Sequence, residues 1–305
     1  MEQLGGYRKK IFKEEHCSPG NKDENTCLNN DLIKKIAKII NQFIIHKSKE
    51  TKIDLSMSIH KIHEEICKIL HEVTGCSSES CWMKINKIIH NLSDTDREEF
   101  KNSFKPIMPK KWIDDYNTWL NTDDIEKCLD QYEEKYPNFY FYGAVPIDFH
   151  KCKVSNLCSF NVKKHINKGH DNIGIVFNTD PHYKSGEHWI SMFIDLTGDS
   201  NDKIPGIYYF DSYGNKPPKN ITKFVKKIKK QGKKLGKEFI FLYNDYSHQK
   251  EDSQCGMFCI HFIKEMLRLK NFKKVLNSNL TDKKMVHLRK KYFIPPSELK
   301  CKYNL

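Results

Sequence analysis

The stretch 186–212 constrains the fold of this chain more than any other. His188-Trp189-Ile190-Ser191-Met192-Phe193-Ile194-Asp195-Leu196 is apolar enough to be a buried strand, and Ile207-Tyr208-Tyr209-Phe210-Asp211 reads as a second. Residues 197–203 between them are rich in Gly, Asp, Ser and Asn, which turn a chain. Two strands joined in this way pair antiparallel, so the start of the first lies beside the end of the second. His188 opens the first strand and Asp211 ends the second, so the hairpin predicts an imidazole next to a carboxylate. Such a carboxylate, accepting the Nδ1–H of His188, fixes the ring's tautomer and supports its charged form.

An imidazolium of this kind suits a thiolate. Met257, Phe258, His261, Phe262, Glu265 and Met266 recur at helical spacing, which places Cys255 in the first turn of a helix. There the aligned peptide dipoles favour S⁻ over SH. Gln249, six residues upstream, is positioned to offer its amide, with the Cys255 backbone N–H, to a developing oxyanion. Gln254 is the alternative donor. The predicted catalytic set is His188, Asp211, Cys255 and Gln249.

In this order, HW before an apolar strand, FDS after it and Q-x5-CGMF at the helix, the chain resembles the adenain and SUMO-protease-like cysteine peptidases. Within them it is most similar to the branch holding the polyprotein-processing protease of African swine fever virus and its giant-virus relatives. Asn178-Thr179-Asp180, Gly214-Asn215, Pro217-Pro218 and His248-Gln249 carry that closer likeness, as do Asn21-Lys22-Asp23, Cys27-Leu28 and the segment 75–81. Two departures stand out: Asp211 replaces the asparagine of the swine fever enzyme, and Gln254 stands where the family often has an acid. The resemblance implies a papain-like, adenain-like α+β core with a central mixed sheet. It also implies that Trp119-Leu120-Asn121 matches the family's WLN motif, with Trp119, Asn121 and Trp189 binding substrate. Trp119 and Trp189 would flank a channel narrow enough that only a Gly-Gly backbone passes, since residues without Cβ let two indoles close over an extended chain.

The pattern changes near 102–111. Before it, 32–45, 59–73 and 81–92 repeat apolar residues at helical spacing, and Asp94 begins another helix. After it come a helix at 123–136 and short strands at 139–142, 173–177, 189–196, 207–210 and 239–243. The expected division is a helical accessory arm, 1–105, and a catalytic domain, 106–305.

Eleven cysteines, no signal peptide and no apolar run of membrane length predict a reducing compartment in which thiols stay free. Cys17, Cys27, Cys76 and Cys81, with His16, His60, His63 and His71 nearby, lack the tight paired spacing of zinc knuckles, so neither metal nor organic cofactor is expected. A net charge of +13 is densest over 223–234, where Phe224, Val225 and Ile228 share one apolar face; it predicts at least a solvated lysine helix and offers a surface for non-specific nucleic acid.

Together these readings predict a viral cysteine endopeptidase that cleaves structural polyproteins after Gly-Gly during virion maturation, in the host cytoplasm and the virion. The alternatives are an isopeptidase acting on SUMO or another ubiquitin-like modifier, and a non-catalytic protein binding nucleic acid or core-shell components. Leu4-Gly5-Gly6-Tyr7 is a further expected site, for intermolecular self-processing.

Overall fold

The structure is a computed structural model that describes residues 13–201 and 203–301; the self-processing site expected at Leu4-Gly5-Gly6-Tyr7 lies outside them. The chain forms two compact units, residues 1–110 with 290–305, and 111–289.

The first unit is helical. Helix α1 (Asn30–Phe43) starts at Asn29, whose side chain accepts the Leu32 N–H, and it buries Leu32, Ile33, Ile36, Ala37, Ile39 and Ile40. It packs on α2 (Ile59–Thr74), which stops at Gly75 with φ of +72°. The helix expected at 81–92 is instead a 3-10 segment, Glu79–Lys84, followed by α3 (Asn86–Asn91). The reason is Glu79. Its carboxylate is buried, pairs with His63 at 2.6 Å, and accepts the Thr26 hydroxyl and the Cys27 N–H, which holds the segment to two other parts of the unit. Helix α4 (Asp94–Asn102) follows, capped by Ser93.

Two expectations are corrected here. The division falls at 110 rather than 105, and the end of the chain returns to the first unit: Ile294 N–H donates to Pro106 O, Met108 N–H donates to Ile294 O, and Ile294 and Leu299 join the helical core. The cysteines are also not all free. Disulfides join Cys17 to Cys27, Cys76 to Cys81 and Cys152 to Cys158, each across a short loop that brings the sulfurs together. The four arm cysteines weighed as zinc ligands are thereby paired with one another.

The second unit opens with α5 (Lys111–Asp114), α6 (Thr122–Leu129) and α7 (Gln131–Lys135), then β1 (Phe139–Pro146), α8 (Val162–Asn167), β2 (Asn172–Asn178), β3 (Trp189–Asp195) and β4 (Gly206–Phe210). Helix α9 (Lys219–Lys233), β5 (Ile240–Tyr243), α10 (Cys255–Leu269), α11 (Phe272–Leu276) and α12 (Asp282–Tyr292) follow; the last crosses the division after Arg289. All five expected strands are present. They form one sheet in the order β1-β2-β3-β4-β5, parallel at its two outer pairs and antiparallel at its two inner ones. The predicted hairpin is the β3–β4 pair, in register from Ser191 opposite Phe210 to Asp195 opposite Gly206.

Ile173, Ile175, Phe177, Ile190, Met192, Ile194, Ile207 and Tyr209 pack with Ile221, Phe224, Val225 and Ile228 of α9. Helix α10 packs on β2 and β3, and its residues 255–263 are all buried. It approaches β2 so closely that a Cβ at Gly174 would stand 2.8 Å from the Phe139 ring and 3.2 Å from Ile263 Cγ2. A helix whose first nine residues are all buried is thus driven into the middle of the unit, with its N-terminus, and Cys255, near the start of β3.

Candidate active site

The hairpin delivers the pair it predicts. His188 Nε2 lies 2.8 Å from Asp211 Oδ1. The nitrogen differs from the expected Nδ1, so it is Nδ1 that remains for another partner, and the ring is hydrogen-bonded to Cys255. Burial disfavours the imidazolium, but hydrogen bonds to Asp211 and Cys255 and the charges of both outweigh it, and the His188 pKa is raised to about 9. Cys255 is the first residue of α10 and is 2% exposed. The His188 ring and the helix N-terminus thus meet at its sulfur.

Asp211 is itself held from several sides. Its N–H donates to Asn244 Oδ1 at 3.0 Å, its carbonyl accepts from Asn244 Nδ2 at 2.6 Å, and its carboxylate also accepts the Tyr213 N–H at 2.9 Å. Asn244 follows directly on β5, whose Tyr243 is paired with Tyr209, so the parallel register brings it beside the acid. The Tyr213 ring lies 5.0 Å from that of His188. Neither Asn244 nor Tyr213 was found from the sequence, because the pairing of β5 with β4 is not visible there.

Gln249 is buried. Its Oε1 accepts from Ser212 Oγ at 2.6 Å, while Nε2 donates to the Glu251 carbonyl at 2.5 Å and to Tyr213 Oη at 3.2 Å. It is therefore tied to the two residues that follow the acid. Gln254, the alternative donor, is also tied down. Its Nε2 faces Tyr116 O, Asn117 Oδ1 and Ser253 Oγ, and its Oε1 accepts from Arg289 Nε at 3.0 Å. It braces the start of α10.

Trp189 is 6% exposed and donates its indole N–H to Leu120 O at 2.9 Å; Trp119, on the same short loop as Leu120, is 42% exposed. Gly256, next to Cys255, makes this possible, since a Cβ there would stand 2.9 Å from Leu120 Cβ and 3.4 Å from Trp189 Cδ1. Asn121 lines the same region, but its Oδ1 accepts the Asp124 N–H and its own N–H donates to Asp124 Oδ2, a capping box that starts α6. Its side-chain oxygen serves the helix. Trp119 stands between two clefts. One, of about 440 Å³, holds His188, Asp211, Tyr213, Asn215 and Pro218; the other, of about 500 Å³, runs past Val145, Asn178, Asp180, Gly186 and Trp189. Asn178, Asp180, Asn215 and Pro218, which carried the closer sequence likeness, thus line the clefts.

An expected result follows from the His188–Asp211 geometry. Asp211→Ala lowers kcat/KM by about 10²-fold or more, whereas Asp211→Asn, whose amide oxygen still accepts from Nε2, stays within about tenfold at neutral pH. The raised His188 pKa puts loss of the imidazolium, and of activity, on the alkaline side near pH 9; without the carboxylate charge that limb moves to lower pH in Asp211→Asn. Full pH profiles of both variants check this, and equal losses in the two would show that charge rather than orientation is what matters.

The profile of the family described as YopJ Serine/Threonine acetyltransferase matches residues 84–300. A protein of Acanthamoeba polyphaga mimivirus named as a thiol protease is 30% identical over 293 residues, 91% of this chain and 92% of that one. A SUMO-1 cysteine protease of African swine fever virus is 25% identical over 252 residues, 76% of this chain and 89% of its own. The crystal structure of the African swine fever virus protease superposes with a TM-score of 0.63 at 21% identity, over 93% of this chain and 98% of that one, and shares its fold. This chain belongs to that family of YopJ-type and adenain-like cysteine enzymes, and within it is a SUMO-protease-like thiol protease of the kind found in mimivirus and African swine fever virus.

Proposed function

We propose that the protein is an endopeptidase that cleaves viral structural polyproteins after Gly-Gly during virion maturation, acting in the host cytoplasm and in the virion. The observation that carries this reading is the placement of Trp119 between the two clefts, with Trp189 pinned to the adjoining Leu120. A chain that spans both clefts has to pass these indoles, and glycine is the residue whose backbone passes with least obstruction. Cys255 then attacks the scissile carbonyl, His188 gives its proton to the leaving amine, and water, deprotonated by His188, releases the acyl group. Gln249 and the Cys255 N–H face the oxyanion. The first unit, which contains none of these groups, is read as an accessory arm that docks large substrates.

The second reading is an isopeptidase for a ubiquitin-like modifier, favoured by the name of the African swine fever virus relative. The third, a silent binding protein, leaves the partly buried His188–Asp211 pair and its contact to Cys255 without a purpose. A panel of Gly-Gly-X peptides beside folded modifier fusions separates them. Cleavage of peptides after the second glycine, lost when either glycine becomes alanine, is the expected result. Cleavage restricted to folded fusions would replace the polyprotein reading by the isopeptidase one, and no cleavage of either would sink both.

A further inference from the structure

Most of the net positive charge of this protein is concentrated in one segment that begins beside the active site and runs away from it along α9. Residues 212–237 hold ten lysines and no aspartate or glutamate, whereas the rest of the chain holds 42 basic and 39 acidic residues. A general preference for lysine would have placed acids among these lysines as it does elsewhere. Eight of the ten lie on α9 and its C-cap: Lys219, Lys223, Lys226, Lys227, Lys229, Lys230, Lys233 and Lys234. All eight are exposed, and none pairs with a carboxylate among the described residues. Successive residues of a helix turn by about 100°, so these eight fall within one half of its circumference. Ile221, Phe224, Val225 and Ile228 fall in the other half and are buried against the sheet. The result is a straight row of cations about 22 Å long on a rigid support.

We propose that this face of α9 docks double-stranded nucleic acid through its phosphates. The charge suits a polyanion, and the rest of the helix narrows the choice. A helix that lies on a membrane inserts its apolar face, but here that face is already committed to the core. A single strand is held by stacking its bases on aromatic side chains, and the only aromatic of α9, Phe224, is buried. A duplex backbone asks only for cations spaced along a line, and it is bound without sequence preference. Lys227 contributes less than the others, because its Nζ donates to the Cys158 carbonyl at 2.7 Å.

Binding of a fluorescent duplex of about 20 base pairs, followed by anisotropy from about 50 to 200 mM salt, tests the proposal. The full chain is compared with Lys223→Gln/Lys226→Gln/Lys230→Gln/Lys233→Gln. A second quadruple variant, Lys34→Gln/Lys38→Gln/Lys61→Gln/Lys87→Gln, has the same net charge but loses exposed lysines elsewhere. Glutamine keeps the helix propensity of lysine, and circular dichroism confirms that both variants fold. The α9 variant is expected to bind about 10²-fold or more weakly, with the slope of log K against log salt reduced by about 3 to 4, while the control stays near wild type. Equal losses in the two variants would show a diffuse charge effect and overturn the assignment to α9. So would wild-type protein that ignores the duplex but sediments with vesicles of anionic lipid, or that captures neither.

Discussion

Cys255→Ala loses at least about 10⁴-fold in peptide turnover, and Cys259→Ala keeps most of it. Both cysteines lie in α10 and both are buried, so accessibility does not separate them. What separates them is company. Cys255 is at the helix N-terminus in hydrogen-bond contact with an imidazolium whose pKa is raised to about 9. Cys259 is one turn further in, where burial and the neighbouring Cys255 charge push its thiol well above the ordinary range, and its one favourable contact, to Ser191, does not compensate. A thiol held protonated is a poor nucleophile. His188→Ala should be as damaging as Cys255→Ala, and combining the two should add little, because the pair acts as a unit. Turnover measurements on the single and double variants, with mass mapping of an alkylating peptide probe, check this; a probe found on Cys259 with Cys255 unmodified would reverse the assignment.

The sequence shows the part of this site that rests on local rules, and it hides the part that depends on strand order. His188 and Asp211 are legible because a hairpin needs only two apolar runs and a turn, and Cys255 because a helix start is written in its own residues. The five strands are legible for the same reason. Asn244 is not, since its contact with Asp211 exists only because β5 lies parallel beside β4, a crossover that no local pattern specifies. Asn121 shows a second task that the motif does not announce. It lines the cleft as the motif implies, and with Asp124 three residues on its side-chain oxygen also caps α6. The cysteines of the arm mislead through composition, because pairing Cys17 with Cys27 and Cys76 with Cys81 is decided by loop geometry rather than by counting thiols. The return of the chain's end to the first unit is likewise carried by Ile294 and Leu299, two apolar residues in a charged segment.

Arg289 is the most consequential residue that the sequence conceals, since it stands among Lys283, Lys284, Lys290 and Lys291 with nothing to set it apart. Its side chain is fully buried. It donates from Nε to Gln254 Oε1 at 3.0 Å and from Nη1 to Thr118 O at 2.8 Å, with a longer contact to Ser253 O, and its guanidinium lies 4.6 Å from the centre of the Trp112 ring. Burial pulls its pKa down to about 10, opposed by the charges of Asp124, Asp115 and Cys255, so it remains a cation at neutral pH. One planar group thus ties the residue before Cys255 to the residue before Trp119. Arg289→Met fills the volume but strands two or three buried acceptors, at about 1–3 kcal/mol each, so a loss of about 3 kcal/mol or more is expected, lowering Tm by about 10 °C. Arg289→Lys keeps the charge without the fork and recovers little. Positioning also has a signature that bulk stability lacks. Well below the lowered Tm, where each variant is folded, kcat should fall more than KM rises, and alkylation of Cys255 by a small reagent should slow, because the start of α10 and the Trp119 loop are no longer fixed to each other. A destabilised Arg289→Met with wild-type kcat and wild-type alkylation would reduce Arg289 to a core residue; a variant with unchanged Tm would refute the buried clamp altogether.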